Sequence, residues 1–332
     1  MSNNTKHRSD LPFFSIVIPV YNKGPHINRS IRSVLNQTLQ DYELIIVNDA
    51  STDSSQEELE KFHDPRMRIL QRTSPGPGGY AARNLGIKEA RAEWVVFLDA
   101  DDEWYDGHLD ELLQLIQGYP EAGLVSTSWN EIEENKAAMA NQFRQSLAES
   151  GHLLIDFKEY VKKSVEVDVP FCASSVAIEK NILLSVGGFP EGKTRRGGDV
   201  DTWLRVMAHA KKAAWSPRIT AIYYRDSVNM VTKTEPFSAK WEKTTIDKLL
   251  SSEPNKQIRT YLKKYSNKRI IYRYLNSRLG GMKPSERLLP NIFFYPLSLK
   301  QLLIVMVSFL PGSVIILLNS IGLFISHRIL KK

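Results

Sequence analysis

The chain has 332 residues, of which 42% are hydrophobic and 24% charged; this is the composition of a folded protein, longer than one ordinary core, so a main domain with additions is expected. The only cysteine, Cys172, excludes an internal disulfide framework and any cysteine-based zinc site, and suits a reducing compartment. The net charge of +7 is unevenly divided: Asp226 to Lys332 holds 18 Lys and Arg against 6 Asp and Glu, whereas the part before it holds 26 against 31.

An acidic N-terminal part joined to a basic C-terminal part suggests two jobs. Residues 1–10 are polar and read as frayed, and no apolar segment stands near the N-terminus, so export is not expected. Phe14 to Asn22 reads as a first strand, with Pro19 marking its carboxyl end. Pro25 suits a first helical turn, and Ile27, Ile31, Val34 and Leu35 recur at helical spacing up to Gln37. A second strand at Glu43 to Val47 ends in the polar run Asn48-Asp49-Ala50-Ser51-Thr52-Asp53. A short helix over Ser54 to Phe62 and a third strand over Met67 to Gln71 follow. Thr73 to Gly79 is too rich in Pro and Gly to be anything but loop. Tyr80 to Ala90 reads as a helix with small residues on one face, and Trp94 to Leu98 as a fourth, buried strand.

Strands separated by helices of this length predict βαβ units and a mostly parallel sheet with helices on both faces. Ligands bind such sheets beyond the carboxyl ends of the strands, where Tyr21, Asp49 and Asp99 to Asp102 would gather. The fourth strand ends in Asp99-Ala100-Asp101-Asp102-Glu103, with no basic residue among the carboxylates. Three aspartates in four positions repel one another unless a cation sits between them, and hard ions such as Mg²⁺ or Mn²⁺ take oxygen ligands of this kind. The alternative is a solvated turn whose Asp102 or Asp106 caps the helix starting near His108.

Gly107 to Gln117 reads as a helix and Gly123 to Trp129 as a strand; Glu131 to Ser150 is a polar surface excursion. Pro170 to Ile178 is expected to be a strand, Asn181 to Val186 a short helix and Gly187 to Pro190 a turn. Asp199 to Met207 starts a helix, where an acid is favoured by the dipole alone. Ala221 to Arg225 closes the acidic part as a strand. From Thr234 to Lys283 the pattern is basic and helical, with aromatic residues among the cations, open to a nucleic-acid surface, a lipid headgroup surface or a solvated helical face. Leu302 to Ile325 then runs 24 positions without a charge, enough to cross a ~30 Å hydrocarbon layer. Pro311-Gly312-Ser313 interrupts it, so one kinked span, a re-entrant hairpin, two interfacial helices or a buried hairpin all satisfy the pattern. Its presence favours membrane over nucleic acid as the basic part's partner. The larger positive charge before it would keep the main domain cytoplasmic, at the inner face of the membrane.

Six motifs in order resemble the family 2 glycosyltransferases over about Phe14 to Arg225. They are Ile18-Pro19-Val20-Tyr21-Asn22, Val47 to Asp53, Ala82-Arg83-Asn84-Leu85-Gly86, Phe97 to Asp102, Val186-Gly187-Gly188-Phe189, and Gly198 to Arg205. The resemblance implies an α/β fold of the GT-A type over 11–225; the charge and apolar pattern add a basic helical extension (226–290) and a hydrophobic membrane-associated segment (291–332). It implies a UDP-sugar donor held by Pro19, Tyr21, Asp49, Arg83, Asp99, Ala100 and Asp101, with Tyr21 against the base and Asp49 accepting from it. Asp101 and its neighbour Asp102 would carry Mn²⁺ or Mg²⁺ on the diphosphate. Asp199 matches the family's catalytic base, which implies inversion at the sugar; Trp203 and Asp201 are the acceptor-side candidates.

One departure stands out. The family usually has Glu-Asp where this chain has Gly198-Asp199. The Gln-x-x-Arg-Trp pattern of processive members is absent, which implies one transfer per encounter. The acceptor would be a hydroxyl of a lipid-linked or cell-surface polysaccharide. A transferase acting on a polyprenyl phosphate, and a sugar-nucleotide-binding protein that has lost catalysis, are the rival readings.

Overall fold

The computed structural model describes residues 11–134, 136–147, 151–228, 230–231, 235, 237–279, 286–311 and 314–315. The frayed start expected over 1–10 lies outside them.

The first strand, β1 (Phe14–Val20), and the second, β2 (Tyr42–Asn48), are apolar and buried almost throughout, as strands covered on both faces must be. Between them α1 (Gly24–Leu35) carries Pro in its first turn and buries Ile27, Ile31 and Val34. Its leading N–H groups are satisfied from outside the helix: Lys23 N–H donates to Ser55 Oγ at 2.8 Å and Gly24 N–H to Asp53 Oδ2 at 3.0 Å. The start of α2 (Ser55–Glu60) thus caps α1. With β3 (Met67–Gln71), α3 (Tyr80–Glu89) and β4 (Trp94–Phe97), these strands form a parallel half-sheet in the order β3-β2-β1-β4.

The second half is different. It comprises β5 (Glu103–Trp104), α4 (His108–Gly118), β6 (Leu124–Ile132), β7 (Met139–Ala140), α5 (Gln142–Gln145) and β8 (Leu153–Asp156). These are followed by α6 (Phe157–Glu166), β9 (Val176–Glu179), α7 (Lys180–Ser185), α8 (Gly198–Ala210) and β10 (Lys212–Tyr224). The sheet continues β4-β9-β6-β10-β5, with β7 on β6 and β8 on β10. Because β9 runs antiparallel to both β4 and β6, the sheet is mixed, not mostly parallel. The cause is local: a 3₁₀ turn at Ala173–Ser175 enters β9 beside the carboxyl end of β4, where Asp99 N–H donates to Ser174 Oγ at 3.1 Å. A chain entering there can only run back along β4.

That turn also shortens the strand expected over Pro170 to Ile178. The last strand is longer than expected because β10 passes through Pro217 at a register shift between Trp215 and Ile219, the kind of irregularity that admits proline. The polar excursion after β6 carries β7 and α5, and the Pro-Gly loop holds a 3₁₀ turn at Pro77–Gly79.

The basic stretch forms α9 (Ala239–Ser252) and α10 (Lys256–Leu279). Neither hangs free: Ile246, Leu250, Leu262 and Tyr265 share a core cluster with Phe97, Phe189 and Trp203. Next comes α11 (Leu299–Val307), whose Ile304 and Val305 cluster with Ile270, Ile271 and Leu275 of α10. Among the described residues no helix is long and apolar enough to cross a membrane. Half of the apolar run, at 312–313 and from 316 on, lies outside the described residues.

Candidate active site

The polar ends of β1, β2 and β4 converge. Tyr21, just past β1, is 42% exposed at the rim, so its ring is free to lie against a flat ligand. Pro19, in the last turn of β1, is half-buried beside Gly79. Asn22 and Ala50 hold positive φ, 52° and 57°. Asparagine tolerates that region, whereas for alanine it is a strained position of the sort concentrated at binding sites. Asn22 is bolted in place, since its Oδ1 accepts from Thr52 N–H at 2.8 Å and its N–H donates to Ser51 Oγ at 3.0 Å.

Asp49 is buried. Its Oδ2 accepts from Gly76 N–H at 2.9 Å and its Oδ1 is paired with Arg72. Burial raises its pKa against the opposing pull of Gly76 and Arg72. A base N–H reaching Asp49 would therefore share an oxygen with the loop that Asp49 anchors. Arg83, from α3, joins the same loop to the acidic cluster: Nη1 donates to Gly78 O at 3.0 Å and Nη2 pairs with Asp99.

The three aspartates after β4 do not share one cation. Asp99 is held by Arg83, and Asp101 by Lys23, whose Nζ lies 2.6 Å from Oδ2. Lys23 also donates to Val228 O at 2.7 Å, and Val228 N–H donates to His26 Nε2 at 3.2 Å, so the segment after β10 is pinned over the start of α1. Ala100 is buried between the two acids.

Asp102 departs from the metal-ligand expectation. It is fully buried; Oδ1 accepts from Tyr224 N–H at 3.1 Å and Oδ2 from Ser174 Oγ–H. Burial, then the charges of Asp101 and Asp99, push its pKa well up. It ties β4 to β10 and the 3₁₀ turn, and offers no face to a ligand. Among the described residues there is no group of three or more His, Cys, Asp or Glu that could hold a metal. Asp101 alone fits a hard ion whose remaining ligands are phosphate oxygens and water, the arrangement Mg²⁺ commonly accepts.

Asp199 stands half-buried in the first turn of α8, behind Gly197 at φ 78°. The Gly198 departure has a steric reason. A Cβ there would lie 2.6 Å from Tyr80 Cζ and 2.7 Å from Pro190 Cγ. Tyr80 Oη takes the space and accepts from Gly198 N–H at 2.8 Å. Tyr80 and Arg83 lie one turn apart on α3, so a single helical turn holds the start of α8 beside Asp99.

The extension reaches the same place. Arg269 makes a buried pair with Glu242, Nε to Oε2 at 2.8 Å. Arg273 lies against Gly197, its Nη1 buried without a hydrogen-bond partner and its pKa pushed down to about 10 by burial and by Arg269. Two sequence candidates turn away from the crevice. Trp203 is fully buried against Phe97 and Phe189, with ring centroids 6.3 and 5.6 Å apart, so it is core and lines no acceptor surface. Asp201 is held by Arg205 at 2.8 Å and Thr245 Oγ1 at 2.6 Å, tying α8 to α9.

Lys23, Arg72, Tyr80, Arg269 and Arg273 were not legible as site residues. Lys23 adjoins a motif and Tyr80 opens a predicted helix, but nothing in their spacing says which way they point.

A mixed sheet whose parallel half gathers carboxylates at its strand ends, with a further acid at the start of α8, is the α/β frame on which the comparisons bear. The chain belongs to glycosyl transferase family 2, whose family model matches residues 15–183. It is 29% identical over 215 residues to an uncharacterized glycosyltransferase of Rickettsia bellii (strain RML369-C), covering 64% of this chain and 29% of that protein. It is 31% identical over 197 residues to the hyaluronan synthase of Pasteurella multocida, covering 53% of this chain and 20% of the synthase. The chain thus spans well under half the length of these relatives. Among solved structures it resembles S. aureus TarS 1-349 in complex with UDP-GlcNAc, with a TM-score of 0.68 at 15% identity over 81% of this chain and 76% of that one. The common fold is GT-A.

Proposed function

We propose that the chain transfers one sugar from a UDP-sugar to a hydroxyl of a lipid-linked or cell-surface polysaccharide acceptor, with inversion, assisted by Mn²⁺ or Mg²⁺. The observation that carries this is the first turn of α3. Through Arg83, paired with Asp99, and Tyr80, which accepts from Gly198 N–H, it ties the acidic cluster after β4 to the start of the Asp199 helix. The UDP and UDP-GlcNAc held by the TarS fold neighbours support the donor class.

In this reading Tyr21 lies against the base, Asp49 orients it, and Pro19 and Ala100 shape the floor. Asp99, steadied by Arg83, faces the ribose or sugar. Asp101 holds the ion, once Lys23 has yielded. The ion, when bound, supplies positive charge opposite the departing diphosphate. Asp199 accepts the proton of the acceptor hydroxyl. The acceptor oxygen forms its bond to the anomeric carbon from the face opposite the diphosphate, as the carbon–oxygen bond to the diphosphate breaks. An α-linked donor would give a β-linked product.

Association with the cytoplasmic face of the membrane is part of the proposal. It is supported by the outer face of α11, where Leu299 and Met306 are 75% and 61% exposed, with Leu302 and Leu303 beside them. Within Asp226 to Lys332 the excess of cations suits an anionic lipid surface.

The test is sugar release and transfer from a panel of nucleotide sugars with Mn²⁺, in wild type and Asp199→Asn. The variant should bind UDP as the wild type does and lose transfer roughly 10²- to 10⁴-fold. An unchanged rate would remove Asp199 as the base.

A further inference from the structure

Away from the crevice, an open cleft of about 410 Å³ lies between α6 and the first turns of α10. Four lysines line it, Lys158, Lys162, Lys256 and Lys264, together with Gln257 and Tyr261. Lys158 and Lys162 stand one turn apart on α6, and Lys256 and Lys264 two turns apart on α10, so two cationic ridges face each other across the opening. No carboxylate lines it, and none of the four lysines has an ion-pair partner among the described residues. Lys264 lies over the Tyr261 ring at 5.5 Å, and the other three make neither an ion pair nor a ring contact among the described residues, whereas Lys23, Arg83 and Arg269 near the active site are each paired with a carboxylate. Clustered like charges repel, so this arrangement becomes favourable when anions enter.

The shape selects among anions. An open groove between two cationic ridges suits a linear chain whose successive phosphates meet both ridges. Its place matters too. The apolar face of α11 packs on α10 at Ile270, Ile271 and Leu275, six or more residues beyond Lys264, so the cleft and that face sit toward opposite ends of one helix. Arg269 and Arg273, beside the Asp199 helix, are five and nine residues beyond Lys264, roughly 8 to 14 Å along the axis.

We propose that this cleft is a second binding site, for a flexible ligand carrying several phosphates: a phosphate-bearing stretch of the acceptor, remote from the hydroxyl that receives the sugar. This rests on the transfer reading above, and the probes separate the two. The full chain is titrated with short linear inorganic polyphosphate, with UDP, and with phosphatidylglycerol vesicles. Three proteins are compared: wild type, K158Q/K162Q/K256Q/K264Q, and a control K61Q/K88Q/K136Q/K240Q that loses the same charge elsewhere, all with matching thermal unfolding.

The cleft variant should lose polyphosphate affinity roughly tenfold or more, with a shallower salt dependence, while the control loses at most about twofold and UDP affinity is equal in all three. Equal losses in both variants, or none in the cleft variant, overturn the proposal. Vesicle binding that needs the four lysines, with no polyphosphate binding, overturns it in favour of a lipid surface. Polyphosphate binding as expected in a protein that binds no UDP keeps the cleft and sinks the donor reading.

Discussion

Lys23 pairs with Asp101, the carboxylate proposed to hold the divalent ion. Its ammonium neutralises Asp101 in a pair whose side chains are each 13% exposed, and the same group holds Val228 O. An ion arriving with a diphosphate must displace it. Lys23→Gln should therefore tighten Mn²⁺ binding in the presence of UDP by up to roughly tenfold, worth about 1.4 kcal/mol, in a calorimetric titration. Weaker binding in the variant would mean that Lys23 helps to build the ion's site instead. His108 is a second residue with a measurable signature. It is fully buried, stacks on Trp104 at 4.2 Å and meets Thr220 Oγ1 through Nδ1 at 2.7 Å. Burial pushes its pKa down to about 3 from 6.5. The unfolded chain then takes up a proton below pH 6.5 that the folded chain refuses, so the neutral ring's contribution is full above that pH and is lost on acidification toward 3. Urea unfolding between pH 6 and 4 should show this group removing about 1.4 kcal/mol per pH unit. His108→Gln should flatten the acid limb, and an unchanged limb would show that other groups govern it.

At the scale of elements, α3 is the joint between the two halves of the site. Its first turn supplies Tyr80 and Arg83. Its next residue, Asn84, reads the backbone of Phe189 at both ends: Oδ1 accepts from Phe189 N–H at 2.8 Å and Nδ2 donates to Phe189 O at 3.0 Å. This is the physical tie between two motifs a hundred residues apart. Gly188 belongs to it as well, since it has φ 62° and a Cβ there would sit 2.5 Å from Asn84 Oδ1. Gly86 sets how closely α3 approaches the sheet, because a Cβ at that position would lie 2.4 Å from Val17 Cγ1 of central strand β1. Gly86→Ala should cost about 1 to 3 kcal/mol in urea unfolding through overpacking. Transfer per folded molecule should fall too, because the same shift moves Tyr80 and Arg83. A variant as stable as wild type would mean that Val17 gives way freely.

For the whole molecule, helices α9 and α10 of the basic part are an integral layer of the fold. Helices α9 and α10 close the core over α8, and α10 reaches from the lysine cleft to Arg273 beside Asp199. Lys268, midway along it, donates to Ser164 O, Val165 O and Val167 O at 3.1, 2.8 and 3.0 Å, so it caps the carboxyl end of α6 and locks the two helices together. The exposed apolar face falls on α11 instead. Replacing Leu302, Leu303 and Met306 by serine should leave unfolding unchanged and reduce sedimentation with phosphatidylglycerol vesicles roughly tenfold. Undiminished sedimentation would take α11 out of the membrane reading.

Local chemistry determined much of this from the sequence alone. Buried β-branched runs specify β1, β2 and β4; Pro25 and helical spacing specify α1; and polar strand ends place Tyr21, Asp49 and Asp99 to Asp101 at one edge, because side-chain periodicity and turn chemistry are properties of neighbours along the chain. The motifs were enough to name the family. What only the tertiary structure decided concerns direction and partner. It turned β9 antiparallel, sent Trp203 into the core, buried Asp102 under Ser174 and Tyr224, and filled the space at Gly198 with Tyr80. It also brought Lys23 to Asp101 and Arg273 to the Asp199 helix. Each of these depends on which distant residue arrives to share a volume or neutralise a charge, and spacing along a chain carries no record of that.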